Sequence, residues 1–228
     1  MTCVWTVCDS WMEERDPDVV SKAVESSELE LHPPTDGPTF CVDEKTGIGV
    51  REPAAPSQAV APGWPARREF ASVRHGTVAV LAAFAVQTGR VQGLVRQRHR
   101  SAEVIDLLRL LDQQAPPHEV MHLILDPLRM HCSAEGAVSG AYQPWRFHVH
   151  GLPLHTSWLS FSEAWFAFLT RTCLARSDLA DVQAAAATIT AVIAPDNAHH
   201  AHPFPRKKGI RFYHRLKDKL AAATPLAA

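Results

Sequence analysis

No stretch of this 228-residue sequence approaches the roughly 20 consecutive apolar residues of a membrane-spanning helix, which excludes a membrane partner of that kind. The first residues carry acids rather than the basic, apolar and small-residue succession of a secretory signal, so secretion is not expected. The five cysteines (Cys3, Cys8, Cys41, Cys132, Cys173) form no CxxC pair, so neither a zinc site nor a disulfide framework is expected. A reducing cytoplasm suits such a set. There is no internal repeat. Net charge is almost lacking, at −1, but it is unevenly distributed. Residues 1–45 hold 11 acids against 3 Lys/Arg, and residues 46–228 hold 20 Lys/Arg against 13 acids. The basic portion suits a nucleic-acid partner; a solvated surface behind an acidic leader is the plainer alternative.

What is present is enough apolar residue, 46%, for one sizeable core. Residues 1–37 read as irregular or weakly helical and end at the breaker cluster Pro33-Pro34-Thr35-Asp36-Gly37-Pro38. Thr39 to Glu44 reads as a strand, and the proline-rich 51–66 stretch as a long surface loop. The run Val78 to Phe84 predicts a strand, and Arg90 to Val95 its hairpin partner across Thr88-Gly89. Ser101 is placed to cap a helix over Ala102 to Gln114 that stops at Pro116-Pro117. The continuous run Val120 to Leu125 suits a strand buried on both faces, Arg146 to Gly151 another strand, and Trp158–Thr172 and Asp181–Ile193 two helices. Three neighbouring strands followed by a crossover helix predict an α/β mixed sheet covered by helices.

Asp43 and Asp126 each end an apolar run, and Glu163 lies near the start of a helical stretch. Two strand-end aspartates and a helix glutamate suit Mg2+, which prefers oxygen ligands and promotes phosphoryl transfer. Each has a plainer reading. Asp43 can begin a turn before Gly47, Asp126-Pro127 can start a turn, and Ser160 with Glu163 matches a capping box. Glu44 should point to the opposite face. Arg67, Arg68, Arg74, Arg96, Arg98 and Arg100 are candidate phosphate contacts or a solvated face. Residues 206–219 hold seven Lys/Arg, Lys207 and Lys208 among them, against one acid, and suit non-specific DNA affinity. Trp165, Phe166 and Phe168 read as core, and His199, His200 and His202 as a polar loop.

The segments Cys41-Val42-Asp43-Glu44-Lys45-Thr46-Gly47, Arg67-Arg68-Glu69-Phe70, Arg74-His75-Gly76-Thr77, Arg98-His99-Arg100-Ser101, His122-Leu123-Ile124-Leu125-Asp126, Thr156-Ser157-Trp158-Leu159, Glu163-Ala164-Trp165-Phe166 and His199-His200-Ala201-His202-Pro203-Phe204 together resemble bacterial insertion-sequence transposases of the mariner-like superfamily. The intervals, 82 residues between Asp43 and Asp126 and 36 between Asp126 and Glu163, follow the same order. The resemblance implies a ribonuclease H-like mixed five-stranded sheet flanked by helices over residues 38–205, with 1–37 a linker or remnant of an N-terminal region and 206–228 a basic tail. It implies Asp43, Asp126 and Glu163 as catalytic ligands of Mg2+ or Mn2+. It also implies DNA cleavage and strand transfer at transposon ends on double-stranded DNA, as a homodimer assembled on that DNA, in the cytoplasm at the nucleoid. The sequence departs from the family at Pro127, at Ser160-Phe161 and at Asp196-Asn197, and the resemblance implies a truncated copy without the family's N-terminal helix-turn-helix domains. A catalytically inactive DNA-binding or dimerisation remnant is the alternative, and a stand-alone repair or recombination nuclease of the same fold is a third.

Overall fold

The structure, a computed structural model, describes residues 18–67, 69–98, 100–125, 145–152, 162–175, 178–203, 214, 215, 217 and 218. Five strands form one sheet: β1 (Thr39–Pro53), β2 (Ser72–Ala85), β3 (Val91–Arg96), β4 (Met121–Leu125) and β5 (Phe147–Gly151), in the order β3-β2-β1-β4-β5. The β1–β2 and β2–β3 pairs are antiparallel, while β1–β4 and β4–β5 are parallel. The mixed five-stranded sheet expected from the element order is therefore present. Helices α1 (Val19–Leu31), α2 (Ser101–Gln114), α3 (Ser162–Leu169) and α4 (Val182–His199) cover it.

Two apolar layers follow from strand alternation. Phe40 and Val42 of β1, Leu81 and Ala83 of β2, and Met121 and Leu123 of β4 meet α2. That helix presents Val104, Leu107, Leu108 and Leu111, the spacing of one helical face, and each such side chain contributes about 1.5–3 kcal/mol by leaving water. Cys41, Val80, Ala82, Phe84 and Ile124 point the other way, toward α1, α3 and α4. Past Lys45 the β1 register slips, and Gly47 takes a φ of 67°. This bulge reverses the parity of β1, so Ile48 and Val50 join Cys41 in the second layer although they are even-numbered. Glycine takes that backbone geometry without the penalty a Cβ would bring.

Several boundaries differ from the expectations. The segment read as irregular or weakly helical contains α1, 13 residues long, with Ala23 in the core. The strand expected at Thr39–Glu44 runs on to Pro53, into the segment read as a loop. That segment also carries the bridges Gln58↔Arg67 and Ala61↔Trp64. Ser101 does not cap α2: Arg100 is the cap position, and its N–H donates to the Glu103 side chain at 2.7 Å. At the far end Arg146 is buried and donates to Asp112 Oδ1 at 2.7 Å and to the carbonyls of Asp112, Ala115, Pro116 and Glu119, closing α2 and placing β5 beside it.

The helix expected over Trp158–Thr172 is α from Ser162 to Leu169 and π from Thr170 to Leu174, with residues 158–161 outside the described set. Thr170 and Thr172 hydroxyls donate to the carbonyls of Phe166 and Phe168, competing with the regular ladder. The last helix does not stop at Ile193 but passes Pro195 to His199. A proline inside a helix costs about 3 kcal/mol. Asn197 offsets it by bonding both backbone groups of Val91 on the edge strand, at 2.7 and 2.8 Å, and Asp196 accepts from Trp165 Nε1 at 3.1 Å. Trp165 and Phe166 are core, as expected, and Phe168 is half-buried.

Candidate active site

Asp43 lies on β1 two residues after Cys41, level with Ala82 of β2 and Gly93 of β3, and it is half-buried. Parity places it on the face covered by α3 and α4, and Glu44 on the α2 face as expected. Its Oδ1 accepts from the Glu44 N–H at 2.7 Å and its Oδ2 from the Ser162 hydroxyl at 2.9 Å. Ser162 is buried and is the first residue of α3; Glu163 follows it, exposed to solvent. The structure thus brings the helix turn that carries Glu163 onto the strand that carries Asp43. Asp126 lies outside the described residues, as does Ser160, the capping partner weighed for Glu163. β4 is described to Leu125, which pairs in parallel with Val42.

Among the described residues no group of three or more His, Cys, Asp or Glu side chains is placed to hold a metal. The donors at hand are still of the right kind for Mg2+ or Mn2+. The Asp43 carboxylate is held by two neutral donors, and hard divalent cations take oxygen ligands. The His199–His202 segment forms no such group: His200 lies 3.4 Å from Asp196 within the last turn of α4.

The basic residues fall into two sets beyond Asp43. Arg67 and Arg74 are exposed on the β1–β2 hairpin, where Arg67 lies over the Trp64 ring at 5.1 Å. Arg98 and Arg100 are exposed where β3 leads into α2, at the same end of the sheet as the later residues of β1. β3 stops at Arg96, which faces Asp106 at 3.6 Å, so Arg98 and Arg100 lie beyond the strand. Burial pushes the Glu103 carboxyl up, but the Arg100 N–H, its own N–H and the Arg100 charge together bring it below the ordinary carboxylate range. Arg68, Lys207 and Lys208 lie outside the described residues.

Sequence reasoning missed three features. Ser162 gave no signal beyond its place before Glu163. Cys41 donates its thiol to buried Glu30 of α1 at 3.2 Å, anchoring α1 to β1 close to Asp43. A hydrogen-bonded chain runs from Asp36 through His122 and His150 to Glu25 of α1, with contacts of 3.1, 3.1 and 2.7 Å. The signal for the last was the His-x-His alternation at 148 and 150, which sets both rings on one face of β5. The Asp36 carboxyl is held below its ordinary range, chiefly by the hydrogen bond from His122, against the opposing effect of burial.

This architecture has relatives. Residues 38–184 match the family model of the DDE superfamily endonucleases. No curated protein sequence matches the chain. Among solved structures, a Mos1 mariner paired-end complex with Mn is similar at a TM-score of 0.54 and 15% identity, covering 97% of this chain and 65% of that one. The Mos1 strand transfer complex is similar at 0.56 and 14% identity, covering 97% and 64%. The catalytic domain of Mos1 mariner transposase is similar at 0.51 and 13% identity, covering 93% of each. The chain spans about two thirds of the length of the Mos1 chains in the complexes. At such identities the likeness is one of fold, the ribonuclease H-like mixed sheet with flanking helices. The family match covers well over half of the chain and contains Asp43, the crossover helix and the turn that joins Ser162 to Asp43, so this protein belongs to the DDE superfamily endonucleases.

Proposed function

We propose that the chain is the catalytic portion of a transposase, cutting DNA strands at the ends of an insertion sequence and joining them to a target. The observation that carries this reading is the Ser162–Asp43 hydrogen bond, which unites β1 with the start of α3 inside a domain of the endonuclease family. Asp43, Asp126 and Glu163 would hold Mg2+ or Mn2+. Asp126 enters because it follows Leu125, whose strand lies parallel to β1 and in register with Val42. Positions that follow a paired couple on neighbouring parallel strands stand level across the sheet and, by alternation, point to one face. Divalent metal bound there supplies charge stabilisation for the attacking and leaving oxygens of an in-line displacement at phosphorus. The protein's own part is to orient the carboxylates. Its exposed arginines (Arg67, Arg74, Arg98, Arg100), with Arg68, Lys207 and Lys208, would track phosphates.

On this reading residues 38–205 form the catalytic unit, α1 of the 1–37 segment packs on it, and the basic 206–228 tail adds non-specific affinity. Double-stranded DNA is the partner, with two copies assembled on it at the nucleoid. Among the described residues no helix is long and apolar enough to cross a membrane. The related structures include a Mos1 mariner paired-end complex and the Mos1 strand transfer complex. The test is nicking of supercoiled DNA with Mg2+ or Mn2+. Asp43→Asn should abolish it while leaving the melting temperature within a few degrees of wild type. Nicking retained by that variant discards the assignment, and a wild-type chain that neither binds metal nor nicks leaves the inactive-remnant reading.

A further inference from the structure

Ser162 is 1% exposed, and its hydroxyl reaches across 119 positions of sequence to Asp43. An ionised carboxylate offers about four acceptor sites, two on each oxygen. The Glu44 N–H takes one on Oδ1 and the Ser162 O–H takes one on Oδ2. Two bonds to opposite oxygens fix the rotation of the carboxylate plane, which its own torsion leaves broad. Both donors are neutral, so neither cancels the charge of a carboxylate. A lysine or arginine at position 162 would instead compete with a divalent cation. The same bond fastens the first turn of α3, where Glu163 follows, to β1.

We infer that Ser162 is a positioning residue of the cation site: it sets the Asp43 carboxylate and holds Glu163 at a constant distance from it. The inference rests on the proposed function, because it takes both acids as ligands. Partners of this outer kind change metal affinity by about 10–100-fold when removed.

The experiment titrates Mn2+ into the whole chain and follows the electron paramagnetic resonance of the free ion, with the melting temperature measured beside it. Wild type should bind Mn2+ and Asp43→Asn should lose that binding. Ser162→Ala should weaken it by about 10–100-fold, and Ser162→Thr, which keeps the hydroxyl, should recover most of the loss. In nicking assays Ser162→Ala should need more metal but approach the wild-type rate at saturation. A purely structural serine would lower the melting temperature and leave Mn2+ affinity untouched, and that result overturns the inference while the proposed function stands. If Ser162→Ala does not fold, Ser162→Cys, of similar size but a weak donor, must weaken binding in the same direction, and unchanged affinity in it is equally decisive. Binding that survives Asp43→Asn, or no binding by wild type, overturns the proposed function and this inference together.

Discussion

His122 Nδ1 lies 3.1 Å from His150 Nε2, and the outer nitrogens of the two rings reach Asp36 and Glu25. The two rings are flanked by those two acids and by the His148 ring, 5.4 Å from His122. The chain ties α1 and the lead-in to β1 onto the parallel half of the sheet.

The first prediction concerns acid stability. Asp36 has a lowered folded-state pKa. Its contribution is thus complete above its unfolded value, about 3.9, and is lost as pH falls through the lower folded value. The melting-temperature gap between wild type and Asp36→Asn should close as pH falls below about 4. A gap that widens with acid contradicts the placement of His122 on Asp36.

A second prediction follows from Arg146. It is buried, and all its guanidinium nitrogens donate, to Asp112 and to four carbonyls at the end of α2. Removing one partner of a buried charged network strands the others, at a cost of about 3–5 kcal/mol. Arg146→Met should lower unfolding free energy in urea by that order. Arg146→Lys should restore little, because an ammonium group has three donors and no planar fork. A loss under about 1 kcal/mol would mean the carbonyls find water instead.

The bulge at Gly47 gives a third. Its φ of 67° costs a residue with a Cβ about 1–2 kcal/mol, although nothing lies within 4 Å of where that Cβ would point. Gly47→Ala should therefore destabilise through backbone strain alone, and Gly47→Val by more. Chemical denaturation measures both, and an Ala variant as stable as wild type refutes the strain.

The hairpin arginines supply the fourth. If Arg67 and Arg74 contact phosphates, the double substitution to Gln should weaken duplex binding about equally for every sequence. It should also flatten the dependence of log affinity on log salt by about 2. Fluorescence anisotropy between low and moderate salt reads this directly. An unchanged slope returns both residues to the solvated face.

Much of this was legible beforehand. The unbroken run before Asp126 foretold β4, all of whose residues are buried. The apolar spacing in 101–114 foretold α2, and Thr88-Gly89 the β2–β3 turn. The less legible parts were those where distant groups override local rules. The spacing predicts that the last helix ends at Ile193, yet Asn197 and Asp196 are held by Val91 and Trp165 and keep it winding past Pro195. Pro53 suggested a loop, yet it ends a strand paired with Ser72.

By itself the sequence determined periodicity and spacing: which runs are strands, which face of each helix is apolar, and that Glu163 stands near the start of a helix. These are local properties, set by side-chain volume and backbone preference over a few residues. Only the tertiary structure decided that Ser162 touches Asp43, 119 positions away, and that His122 meets His150 across 28. Such contacts depend on strand register and on the bulge that reverses parity within β1, and a slip of one residue would turn each partner to the opposite face.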